Sequence, residues 1–389
     1  MKRFFATLAV LILSLSSTLA QNVPSIEIRF CPASAVRTYP LEDRRELQSL
    51  VLHNLAVVNH GAAPFKINAI ELELLQADRV VDIRKLDDKA LQRYAEGSAA
   101  MQEAGLLEQL AFQFCGTNLI APPIKLAGRT LDQNQALLIM WQVFAFRGPR
   151  DTLRARVQGE VAGKTTEVSA TLPIKSEFTK TKYIFPLRGV WYVGWGASLH
   201  TGHRWLIPEE FALDIAKLGS NGRTYKGKGT RFEDYYAYGA DVLAAAAGRV
   251  IGVANDQKED VAAMQRPDEN QEAYSARLQK DQARRLEKGI AAVAGNYVMI
   301  DHGQGEYALY AHLQPGSVQV RVGDQVKVGD VLGKLGSSGN STEPHLHFHV
   351  CDQPDPLMCA GLPVNFSNVT IQWADLPRPI QSGDIVIAK

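Results

Sequence analysis

The segment His345-Leu346-His347-Phe348-His349-Val350 alternates imidazole and apolar side chains without a break. In an extended strand successive side chains point to opposite faces, and same-face neighbours lie about 6.5–7 Å apart. The three histidines therefore gather on one face while Leu346, Phe348 and Val350 pack the other. A lone strand histidine is usually a residue with a satisfied polar tip. Three in alternation opposite an apolar face are hard to explain as packing, and neutral imidazole is the commonest zinc ligand.

A catalytic zinc site needs three protein ligands and an open position for water, so this strand alone is not enough. Upstream, His200-Thr-Gly-His203-Arg204 precedes Phe211-Ala212-Leu213-Asp214-Ile215, where a carboxylate interrupts an apolar run. A buried Asp214 needs a compensating cation, either a metal ion or, more simply, Arg204. His312, in Tyr310-Ala311-His312-Leu313, is a further candidate. Together these offer a His, Asp, His donor set with histidines to spare for proton transfer. His53 and His60 stand alone in strand and turn contexts, and both are read as structural or exposed. His302 is likewise read as structural.

The chain of 389 residues, long enough for two domains, carries 42 Lys and Arg against 41 Asp and Glu. That balance, with no polybasic run, argues against a nucleic-acid partner. Lys2-Arg3, the apolar run Phe4 to Leu13 and Thr18-Leu19-Ala20 read as a signal peptide over residues 1–20, cut after Ala20. Its removal leaves 40 basic against 41 acidic residues, a formal charge of −1. No other stretch approaches the roughly 18 apolar residues of a membrane span, and no cysteine sits near the cleavage point for lipid attachment. The expectation is a soluble protein, periplasmic or secreted. Its four cysteines then suggest two disulfides, Cys31 with Cys115 and Cys351 with Cys359, paired by proximity in sequence.

Residues 21–175 read as a β-rich accessory domain. Ser25–Phe30, Leu50–Val58, Ile67–Leu75, Ala136–Phe146 and Val161–Leu172 are strand-like. Residues 84–112 have helical composition. The arrangement suggests an immunoglobulin-like β-sandwich with one helical insertion. In residues 176–389 glycine density rises and short strands alternate with tight turns. The near-copies Val322-Gly323-Asp324 and Val328-Gly329-Asp330 suit a compact antiparallel meander. One charged segment, residues 256–288, interrupts this texture and reads as a helical hairpin or lid, or as an irregular surface loop.

These elements resemble the lysostaphin/LytM-type zinc metallopeptidases, which cut peptidoglycan. The resemblance is carried by His203 with Asp214 downstream, Tyr310-Ala311-His312-Leu313 and His345-Leu346-His347-Phe348. Supporting segments are Ala240–Val250, Gly295–Gly303 and Val326–Gly339, so it covers about residues 195–352. It implies an antiparallel β-sheet peptidase domain with the site in a groove, one Zn²⁺ per chain bound by His203, Asp214 and His347, and catalytic roles for His312 and His345. In the compact family pattern the first His and Asp are four apart, whereas eleven residues separate His203 from Asp214. Arg204–Phe211 then resembles a looped-out variant, which favours His203 over His200. Glu343 stands where Gly usually precedes Pro-His, and His349 where an acidic residue is often found. His349 is expected behind a ligand, because a fourth protein ligand would close the position water must occupy.

The leading expectation is an exported zinc metalloendopeptidase acting on peptide cross-links of bacterial peptidoglycan. A second is a catalytically silent peptidoglycan-binding protein or regulator of another wall hydrolase; loss of a ligand or catalytic His would mark that class, and all five positions are present. A third, a structural metal protein, would close its site with four ligands. Near-neutral charge argues against nonspecific attraction to an anionic wall, which makes the N-terminal domain the expected place for specific contacts, including a regulatory protein partner.

Overall fold

The computed structural model describes residues 25–41, 44–105, 107, 110–116, 119–264 and 269–389. The proposed signal peptide and Pro267 lie outside the described residues. The chain is mainly β, built on two large sheets. Among the described residues no helix is long and apolar enough to cross a membrane.

The first sheet folds over on itself. Its long strand Arg44–Asn59 pairs with Ile26–Cys31, Val36–Leu41 and Gln135–Arg147. Phe65–Gln76 pairs instead with Arg79–Leu86 and Thr152–Val161, which continues into Lys164–Lys175. The two groups join through a short parallel contact, Ile174 and Lys175 beside Val36 and Arg37. Leu50, Leu52, Leu55 and Val57 from one group share a buried core with Phe65, Ile67, Ile70 and Leu72 from the other. Burying these side chains contributes about 1.5–3 kcal/mol each.

The second sheet is antiparallel, and its middle builds the site. Leu346–Cys351 lies between Tyr307–Leu313 and Leu213–Ala216. Leu346, Phe348 and Val350 enter the main core with Val298, Ile300 and Tyr310. The period-two pattern therefore acts as expected: the apolar members anchor the strand, and the histidines occupy its other face. The cysteines pair as Cys31–Cys115 and Cys351–Cys359.

Several local readings differ. The helical stretch expected over 84–112 begins later, with the helix Asp88–Glu103 N-capped by the Asp87 carboxylate, because Arg79–Leu86 completes a strand. The run Val161–Leu172 spans a hairpin turn at Ala162-Gly163, both with positive φ, and the preceding strand Thr152–Val161 was not anticipated. In the charged segment the helix Gln271–Glu287 forms, and the short helix Ile290–Ala294 follows just beyond it. The valine-bearing run Val318–Val322, which reads as a strand in the sequence, is irregular; the strands nearby are Gln325–Val326 and Val331–Lys334.

Candidate metal centre

Register brings the first two groups together. Asp214 is directly opposite His347 in the antiparallel pair, so their side chains share one face. Asp214 Oδ1 lies 3.0 Å from His347 Nδ1. On its other side His347 faces Ala311, which by alternation would send His312 to the opposite, core side of the sheet. A register shift in that strand and a φ of 65° at His312 turn the imidazole back toward the site. Its ring centroid lies 4.7 Å from that of His345 and 5.9 Å from that of His347.

His203 arrives from outside the sheet, on the short 3₁₀ turn His203–Trp205. Its Nε2 is 3.4 Å from Asp214 Oδ2, while His200 is exposed. His345 Nε2 is 3.5 Å from Asp214 Oδ1. One carboxylate is thus ringed by three imidazoles. Arg204, the simpler partner considered for Asp214, pairs with Glu210 at 2.7 Å.

The remaining ring nitrogens define the tautomers when assigned from their partners. His312 Nδ1–H donates to the Ser338 carbonyl and His345 Nδ1–H to the Glu343 carbonyl, both at 2.8 Å. Each therefore turns Nε2 away from these backbone anchors. His347 Nε2–H donates to His349 Nδ1 at 2.9 Å, so His349 stands behind His347. His302 Nδ1–H donates to the Ala247 carbonyl, remote from this cluster.

Electrostatics follow from the crowding. Burial pushes the Asp214 carboxyl up, but the adjacent His203 and His345 outweigh it and hold the group well below the usual carboxylate range. Burial lowers His345 and His347, and Asp214 reverses the direction for both. His312 and His349 are held well below the usual imidazole range, first by burial and then by neighbouring histidine charge.

The donor set fits a zinc ion. The ligating atoms of His203, Asp214 and His347 lie within 4.8 Å of one another, and two imidazoles with one carboxylate are donors zinc accepts. A carboxylate facing only titratable imidazoles also lacks the fixed positive charge that a metal supplies. Two neighbours escaped the sequence reading. Glu209 Oε2 is 3.8 Å from His203 Nε2, and the Trp195 ring stands edge-on to His203 at 5.3 Å. The carboxylates of Pro208-Glu209-Glu210, lying between two candidate ligands, were the available signal for the first. Trp195 had none.

Residues 225–358 match Peptidase family M23, whose members are zinc metallopeptidases. The match contains His312, His345 and His347 and begins after Asp214. Over 91 residues the chain is 38% identical to the DD-carboxypeptidase/endopeptidase Mpg of Neisseria meningitidis serogroup B, covering 23% of this chain and 19% of that protein. Over 81 residues it is 37% identical to the peptidoglycan DD-endopeptidase ShyA of Vibrio cholerae serotype O1, covering 21% and 17%. The chain thus spans less than a fifth of the length of either relative. The catalytic domain of lysostaphin from Staphylococcus simulans aligns at 17% identity with a TM-score of 0.23, covering 48% of this chain and 95% of that one. Between Tyr225 and Met358, the chain carries a domain of Peptidase family M23.

Proposed function

We propose that the protein is an exported zinc metalloendopeptidase, periplasmic or secreted, that hydrolyses peptide cross-links of bacterial peptidoglycan. Residues 176–389 form the peptidase unit in this reading, and residues 21–175 an accessory immunoglobulin-like sandwich. The carrying observation is the convergence of His203, His345 and His347 on the single carboxylate of Asp214, with the His312 ring tilted against that of His345. The two named relatives, a carboxypeptidase/endopeptidase and a peptidoglycan endopeptidase, support the substrate class.

His203, Asp214 and His347 would hold one zinc ion. Zinc bound there supplies Lewis acidity and brings a water within reach of deprotonation near neutral pH. His345, anchored through Nδ1 to the Glu343 carbonyl, would offer Nε2 as the general base of the site. His312, neutral with its Nδ1–H on the Ser338 carbonyl, would have to take a proton from the neighbouring His345 onto Nε2 before it could support the developing oxyanion or pass the proton to the leaving amine. His349 receives the Nε2–H of His347 and so leaves Nδ1 free as a donor atom. The insertion lies beside these residues in this reading, since Tyr274 is hydrogen-bonded to Thr342, three residues before His345. Replacing the insertion by a short loop is expected to change KM, and unchanged kinetics would remove the lid role.

The test is digestion of purified peptidoglycan by the full chain, followed by muropeptide analysis. Cross-link cleavage is expected, lost on chelation and restored by zinc, with His345→Ala retaining zinc but not hydrolysis. Stoichiometric zinc with no released fragments, and His345→Ala indistinguishable from the parent, would overturn the enzyme reading in favour of a silent binding protein.

A further inference from the structure

His203 sits on a three-residue 3₁₀ turn, an element with little rigidity of its own. Strands fix Asp214 and His347. The Gly361 N–H of the second sheet donates to the Ile207 carbonyl at 3.0 Å, and the other bonds that hold the His203 turn come from the first sheet and the loop region that follows its helix. His53, on the strand Arg44–Asn59, donates its Nε2–H to the Arg204 carbonyl at 3.2 Å. Trp141 Nε1–H donates to the Trp205 carbonyl at 3.3 Å, and the Gln113 side chain accepts from the Ile207 N–H at 3.4 Å. Consecutive carbonyls of the turn are thus bonded by side chains 64 to 151 positions away in sequence.

The Arg204 side chain completes the connection. It is fully buried, donates to Glu210 at 2.7 Å on one side, and reaches the Ser49 carbonyl and hydroxyl at 3.4 Å on the other. Its guanidinium lies over the Phe211 ring at 4.9 Å and the Tyr39 ring at 5.8 Å. A buried guanidinium with such fixed partners is costly to displace. It ties the strand carrying Ser49 to the segment that leads from Glu210 into Asp214.

We propose that residues 25–175 are a working part of the metal centre rather than a detachable targeting module, and that His53 and Trp141 are positioning residues which set zinc affinity by holding the His203 turn. The inference rests on the reading of His203 as a zinc ligand. Outer partners of metal ligands commonly change affinity about 10- to 100-fold when removed. The same range is expected here, although these side chains lie outside the family-matched segment.

The experiment measures zinc affinity of the full chain by competition with a chromogenic chelator, alongside thermal unfolding of zinc-free protein. Trp141→Phe, which removes one N–H from a half-exposed ring, and His53→Leu are each expected to weaken zinc about 10-fold or more. His53→Gln keeps a donor and is expected to restore most of that loss. Ile70→Val in the first sheet's core serves as the control, since it lowers stability without touching the turn. Parent-like zinc affinity in both Trp141→Phe and His53→Leu overturns the proposal, as does an equal loss in Ile70→Val at matched stability. If the parent chain binds no zinc, the metal-site reading fails and takes this inference with it; zinc binding that ignores the turn variants overturns this inference alone.

Discussion

His347 donates its Nε2–H to Nδ1 of His349 across 2.9 Å, with both rings buried on the same face of one strand. With Nε2–H as the donor, His347 has its Nδ1 directed at Asp214. The burial of His349 and its depressed proton affinity both favour the neutral ring that acts as acceptor.

Replacing His349 with Phe removes that acceptor while keeping the volume near. We expect zinc affinity to fall about 10- to 100-fold. His349→Gln, whose amide oxygen can accept the same proton, is expected to lose less. Chelator competition on the two variants checks the order.

Gly339 has a φ of 77°, and a Cβ there would stand 2.3 Å from the Gly295 nitrogen. Gly339→Ala must therefore part this turn from the Val293–Gly295 backbone, next to Ser338, whose carbonyl anchors His312. A loss of about 1–3 kcal/mol in stability is expected from the strain. A fall in kcat larger than any change in KM is also expected, measured by denaturant titration and steady-state hydrolysis.

His53 is pushed down to about 3, first by burial and then by the Arg204 charge. Its unfolded value is near 6.5, so the folded chain binds fewer protons between these limits. The stability it contributes is present above pH 6.5 and is lost as pH falls toward 3. Relative to His53→Gln, the parent should lose up to about 1.4 kcal/mol per pH unit in that window. Urea unfolding at a series of pH values tests this, and parallel curves would contradict it.

The disulfide Cys31–Cys115 closes a separation of 84 residues, whereas Cys351–Cys359 closes 8. On chain entropy, removing the first by paired Cys→Ser changes should cost about 4–5 kcal/mol and the second about 2–3 kcal/mol. Guanidinium unfolding of the two double variants measures the difference.

Much of this site was legible in the sequence because strand geometry is local. The alternation over 345–350 needs only the two-residue period to place His347 and His349 on one face and Phe348 in the core. The cysteine pairing was legible for a different reason: two cysteines fall in each half of the chain, and pairing within each half gives Cys31–Cys115 and Cys351–Cys359. The strand Thr152–Val161 was missed because its arginines suggest solvent. In the fold Arg154 and Arg156 instead meet Glu73 of the neighbouring strand, one a hydrogen-bonded pair at 2.5 Å.

Taken alone, the sequence determined the mainly β class, the histidine-bearing strand, the candidate donors and both disulfides. The first three follow from side-chain periodicity and residue chemistry over short distances, and the disulfides from the division of four cysteines between the two halves of the chain. Only the tertiary structure decided which histidine of the His200/His203 pair meets Asp214, that Arg204 turns to Glu210 instead, and that a positive φ reverses His312. It alone joined the turn of His203 to His53 and Trp141, because contacts between residues 64 or more positions apart depend on how sheets pack and leave no periodic trace in the chain.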